Sequence, residues 1–209
     1  VLVALPSWAE SAGAMLSPSI ARVAASGCAA SGFGPRGWSA FLALQRGDGE
    51  PLRSLALEAY VLSRRPDGAT TEVRVDPRDD MLEIRYWSSA TSGDRRTSLG
   101  VYRLRATAIR PPGPDTAGKN GIEPTDLIVH AFLAIPSEAA LATATVRYEE
   151  VFSMSDDTLF RTFSGRIILV GDSRNPAVHL AAEGGGTRWA TYGHAAAIEQ
   201  LCSGAGVVV

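Results

Sequence analysis

Asp172, Arg174, His179, Arg188 and His194 fall within one stretch of the chain, and their types suit the capture of a small polar or anionic ligand. The Asp172 carboxylate accepts from an amine or a hydroxyl. Arg174 and Arg188 carry the fixed fork of donors that holds an anion. A neutral imidazole at His179 or His194 donates and accepts at once. Each residue also has a plainer reading. Aspartate after a strand commonly bonds its own downstream amides. A histidine on a helix is often a core residue satisfied by a backbone carbonyl, and most surface arginines bind nothing specific. Gly184-Gly-Gly186, between His179 and Arg188, reads either as room for close backbone approach to a ligand or as a flexible loop.

Two elements must position these side chains. The run Arg166-Ile-Ile-Leu-Val170 ends in Gly171-Asp172. An unbroken apolar run of this length reads as a strand covered on both faces. Behind it, the stretch from about Tyr192 to Ser203 reads as a helix stopped by Gly204, with His194, Ile198 and Cys202 on one face. Crevices in open α/β sheets lie at the carboxyl ends of strands. The expectation is therefore a pocket bounded by Asp172, Arg174, His179 and His194, with the free amides of a helix beginning near His194 pointing at it. Helices 17–26 and 192–203 are expected on either side of the 166–170 strand.

The rest of the chain supplies a mixed scaffold. Strands are expected at Val1–Leu5, Ser39–Gln45, Thr71–Val75, Met81–Trp87, Leu99–Ile109, Leu127–Ile135, Thr143–Tyr148 and Arg166–Val170. Helices are expected from the Ser17-Pro18 start to Gly27, over Leu52–Ser63, over Asp156–Phe160 and at the C-terminal end. Gly47-Asp48-Gly49 is a turn signal, and the Pro/Gly-rich 110–121 stretch a loop. Helices and strands alternate at both ends and strands cluster in the middle. That predicts an α/β fold, or mixed α+β, with a central mixed sheet carrying helices on its faces. One domain is expected over 1–209.

The same C-terminal blocks resemble a known family. Phe163-Ser-Gly-Arg-Ile-Ile-Leu-Val-Gly-Asp172 is similar to the "lkgKIVLIGD" block of the CHASE2 domain, and Tyr192-Gly-His-Ala-Ala-Ala-Ile198-Glu-Gln-Leu201 to its "pGveiHAnaianLL" block. Looser similarity covers Tyr148–Ser153, Leu159–Phe163 and Ser54–Tyr60. The resemblance implies an extracytoplasmic sensor module of a bacterial transmembrane receptor. In that family the module is joined through membrane helices to a histidine kinase, a serine/threonine kinase or a nucleotide cyclase. It also implies an excised piece of a longer membrane protein, a homodimer in the parent receptor, and a membrane association made only through flanking helices.

Composition sets the outer limits. The chain has 209 residues, 45% hydrophobic and 20% charged, with a formal net charge of −2. That is enough for a real core, argues against disorder and gives no basic surface for nucleic acid. No stretch reaches the roughly 18 apolar residues of a membrane span. Cys28 and Cys202 either pair, as an extracytoplasmic setting permits, or stand apart as buried thiols. Catalysis finds no support: Gly-x-Ser-x-Gly, a phosphate-cradling Gly-Lys-Ser/Thr and His-Glu-x-x-His are all missing. His130, His179 and His194 lack metal-ligand spacing, and no cofactor is expected. Asp79-Asp80 and Asp156-Asp157 read as turn and helix-start residues. The leading expectation is a sensor domain, followed by a dimerisation module of the same fold and then a degenerate α/β enzyme.

Overall fold

Strict alternation in Met81–Trp87 (β6) puts Leu82, Ile84 and Tyr86 on one face, all buried, and Glu83, Arg85 and Trp87 on the other. This is the pattern of a strand with one face on the core. In the computed structural model, which describes residues 2–5, 25–28, 38–88, 96–110, 122–133, 138–171, 179–181 and 187–204, β6 is the centre of an antiparallel meander. Thr70–Asp76 (β5) and Ser98–Arg105 (β7) flank it, with Val73 opposite Ile84 and Leu82 opposite Leu104. The outer face is a charge ladder. Glu83 accepts from Arg85 and, at 3.1 Å, from Arg103. Glu72 accepts from Arg74 at 2.7 Å and from the Trp87 indole at 3.1 Å. The hydrogen bond from Arg74 holds the Glu72 carboxyl below its usual range, and that from Arg85 does the same for Glu83. Solvent screens such pairs, so each contributes at most about 1 kcal/mol.

A second antiparallel sheet follows the order β4-β3-β9-β8, built from Leu52–Arg53 (β4), Trp38–Gln45 (β3), Leu127–Leu133 (β9) and Thr107–Ile109 (β8). The β3–β9 register shifts between Phe41 and Ala43. Leu42 is the extra residue of this bulge, which explains why Leu42, Ala43 and Leu44 are all buried in a row. The Leu42 carbonyl accepts from the Ser54 amide at 2.8 Å. Ser54 in turn caps the helix Leu55–Arg64 (α1), its hydroxyl accepting from the Leu57 amide at 3.1 Å. A cap at Ser54 obliges the residues before it to be extended. Leu52 and Arg53, expected inside the helix, therefore form β4. At the far end of β3, Arg46 Nε lies 3.3 Å from the buried Asp126 carboxylate, which also accepts from the Glu123 amide.

Residues Leu55 to Val61 of α1 are buried all round, as befits a helix at the centre of its domain. α1 packs against β3, against Ala190–Ser203 (α5), and against the parallel pair Leu2–Leu5 (β1) and Ala25–Cys28 (β2). The Tyr86 hydroxyl donates to the Val61 carbonyl at 2.9 Å, tying meander to helix. Leu57, Val61, Leu82, Ile84, Val129, Ile198 and their neighbours form one continuous core. The fold is thus mixed α and β, with helices packed on sheets.

Several expected elements differ. The 99–109 strand breaks at the buried Ala106, whose amide donates to the Asp80 carbonyl at 2.9 Å, and β7 and β8 join different sheets. Residues 143–148 are not a strand: Glu138–Thr143 (α2) and Tyr148–Val151 (α3) occupy the region. The helix expected over 17–26 falls mostly outside the described residues, and its end at 25–26 lies in β2. The largest correction concerns Arg166–Val170. Asp156–Phe163 (α4) ends at Ser164, and Gly165 turns the chain with φ +70°. Beyond it, residues 167–170 belong to no helix or strand and pair with none of the described strands. Ile167, Ile168 and Val170 are 44%, 53% and 85% exposed, and only Leu169 rests on the core. Apolarity marks what a strand could bury; it supplies no neighbour to pair with.

His130, on β9, is buried, and burial pushes its imidazole below the ordinary value of 6.5, with Asp80 opposing. A histidine lowered in this way is stabilising while neutral. Its contribution is complete above the ordinary value and is lost as pH falls through the lowered one. The melting temperature should therefore fall on mild acidification below pH 6.5, and His130→Gln should flatten that dependence. An unchanged pH profile in the variant would contradict this.

Candidate ligand-binding site

The expected pocket is only partly within view. Asp172 and Arg174 lie outside the described residues. His179 opens His179–Ala181 (β10), and Arg188 is central in Thr187–Trp189 (β11). The hairpin register sets His179 opposite Trp189 and Leu180 opposite Arg188, so both backbones lie at the entrance to α5. Because α5 begins at Ala190, His194 stands a full turn inside the helix and not among its free amides. It is half-buried, one turn before the buried Ile198. Cys202 is a free thiol, its sulfur 4.0 Å from the Ser63 hydroxyl, so a bond to Cys28 is not made. Asp79 and Asp80 sit in the β5–β6 turn, and Asp156 and Asp157 in the first turn of α4. Among the described residues no three His, Cys, Asp or Glu side chains gather as a metal site.

A different, half-open concavity lies beside the meander. A cleft of about 720 Å³ runs between β5 and the β3–β4 turn, within the usual range for small-molecule sites. One wall is β5, residues Thr70 to Val75, an edge strand among the described residues. The other is the turn from Gln45 to Glu50, with Trp87 and Arg96 also lining the cleft. Gly47, at φ +55°, allows the turn. The Gln45 side-chain amide donates to the Gly47 and Gly49 carbonyls, both at 2.7 Å, and braces it. Asp48, Glu50 and Glu72 are set against Arg74 and Arg96. The Thr71 hydroxyl is buried and has no hydrogen-bond partner among the described residues. This mixed lining suits a small polar molecule bearing an amine or hydroxyl better than a multiply charged anion.

Of the five residues expected from sequence, His194 is the one whose side chain is described, and it does not line this cleft. Its members come from a turn and an alternating strand with no motif spacing. The only local signal was Gly47-Asp48-Gly49 beside Glu50.

The cleft connects to α5 through named contacts. Arg53 lies 3.1 Å from Glu50 in the cleft wall and 2.8 Å from Glu58 on α1. At the other end of α1, Arg64 donates to the Cys202 carbonyl at 2.8 Å, while Ala197, Ile198 and Leu201 of α5 are buried in the shared core. Comparison with protein-family models, curated proteins and solved structures finds no match.

Proposed function

We propose that the chain is the ligand-sensing, extracytoplasmic domain of a bacterial transmembrane receptor, a CHASE2-like module without catalysis of its own. The observation that carries this reading is the continuous set of contacts from the cleft wall through α1 to α5. The C-terminal helix is the element that leads toward the membrane in this reading. A small polar ligand in the cleft would bear on Glu50 and, through Arg53 and Glu58, on α1. It shifts the position of α5 only by the difference in its affinity for the two arrangements. The similarity of Phe163–Asp172 and Tyr192–Leu201 to the family's signature supports the same reading. In the parent receptor, hydrophobic segments of about 18 residues should flank the domain.

The direct test is a thermal-shift screen of the 209-residue chain against amines, amino acids, polyols and sugars, because a ligand of the native state raises its melting temperature. Arg74→Ala and Arg96→Ala, which both change the lining of the cleft, should remain folded and lose the shift. Receptor signalling should weaken in Arg64→Ala, which removes the polar link between α1 and the end of α5. A shift kept in full by both cleft variants would relocate the ligand, with Asp172→Ala and His194→Ala then testing the signature region. Turnover of the bound compound would replace the sensor reading with an enzyme.

A further inference from the structure

Residues 148–170 form an arm of which, among the described residues, only Leu169 packs against the core. Neither α3 nor α4 has a buried residue, and Phe152 and Phe160 are 74% and 72% exposed. The arm ends in the apolar Ile167–Val170, which lies outside any helix or strand and makes no backbone hydrogen bond among the described residues. Elsewhere in the chain, the outer edge of β7 has no strand partner among the described residues. It presents Leu99 and Val101, 47% and 46% exposed, where edge strands are ordinarily guarded.

We propose that Ile167–Val170 of one copy of this chain adds as a strand to β7 of a second copy, and reciprocally. Three properties match the two surfaces. Each offers the backbone groups the other lacks, which is the basis of strand addition. Both are apolar. Their charges are opposite: residues 96–110 carry Arg96, Arg103, Arg105 and Arg110 and no carboxylate, while the arm carries Glu149, Glu150, Asp156 and Asp157 against Arg161 and Arg166. Because one chain supplies both halves, a reciprocal exchange about a two-fold axis closes as a dimer. The same carboxylates disfavour the anionic surface of a membrane. The root of the arm touches α5, where the Thr145 hydroxyl donates to the Tyr192 hydroxyl at 3.3 Å. The proposal stands apart from the ligand reading and does not depend on it.

The test is the oligomeric state of the purified chain by sedimentation velocity. The wild type should dimerise. Arg105→Glu on the edge and Asp157→Arg on the arm, both at exposed positions, should each weaken the dimer about tenfold or more while keeping the wild-type circular dichroism. An equimolar mixture of the two variants should recover the wild-type affinity, since one interface is then native and the other has its charges exchanged. Val170→Asp should give a folded monomer. A wild type monomeric up to about 1 mM, a dimer indifferent to these changes, a mixture that fails to recover, or a monomer that instead pellets with phosphatidylserine vesicles would each overturn the proposal.

Discussion

Ile84→Asp should leave no cooperative unfolding transition, while Val170→Asp in the dilute monomer should unfold within about 0.5 kcal/mol of the wild type. Both residues are apolar and β-branched, and from sequence Val170 belongs to the more hydrophobic run. Their surroundings differ. Ile84 is wholly buried between β5 and β7, facing the core, whereas Val170 lies 85% in solvent. An unpaired carboxylate at position 84 costs several kcal/mol, a large part of a typical stability of about 5–15 kcal/mol. The milder Ile84→Ala should cost about 2–5 kcal/mol through lost transfer energy and the cavity left behind. Urea titrations followed by circular dichroism measure both. Loss of folding in Val170→Asp would place 166–170 in a buried sheet after all.

Arg53→Ala should destabilise the protein by about 2–3 kcal/mol at neutral pH, because it strands Glu58 in a largely apolar setting. Burial raises the Glu58 carboxyl above its ordinary value, and Arg53 is the main force opposing that rise. A carboxyl raised on folding contributes stability that is complete below its unfolded value and is lost as pH rises through the folded one. Removing Arg53 raises it further, so the penalty should appear as pH climbs from below 4.5 toward neutrality and be small on the acid side. Adding Glu58→Gln to Arg53→Ala should recover most of the loss at neutral pH. A pH-independent penalty, or no recovery, would assign the effect of Arg53 to the packing of its stem or to its second partner, Glu50.

These two cases also mark how far the residues alone lead. β5, β6 and α5 are legible because period and punctuation agree: Leu82, Ile84 and Tyr86 alternate cleanly, and Gly204 stops α5 with φ +72°. The split of the 99–109 strand was not legible, since the change of sheet at Ala106 depends on a hydrogen bond to Asp80 in another turn. Arg166–Val170 misleads for a related reason. Its local pattern is that of a buried strand, but pairing is a property of two segments. The cleft shares this limit, for its walls come from a turn and a strand edge that no spacing relates. Of the residues expected at the site, His194 kept its helix but moved inward, because α5 starts earlier at the end of the β10–β11 hairpin.

The ion pair between Arg46 and Asp126 has a bearing on how the chain assembles. β3 and β9 are neighbours, yet α1 and the entire meander lie between them in sequence. Residues 46–126 are thus one closed excursion whose two ends meet side by side, clasped by this pair. Closing so long a loop from an unstructured chain is entropically expensive, and the cost grows with loop length. Hairpins β5–β6 and β6–β7 and helix α1 are local and can form first, shortening the loop that remains. On that order the β3–β9 ladder would close over a prefolded insert, and the sheet carrying β3 would be the late step of folding.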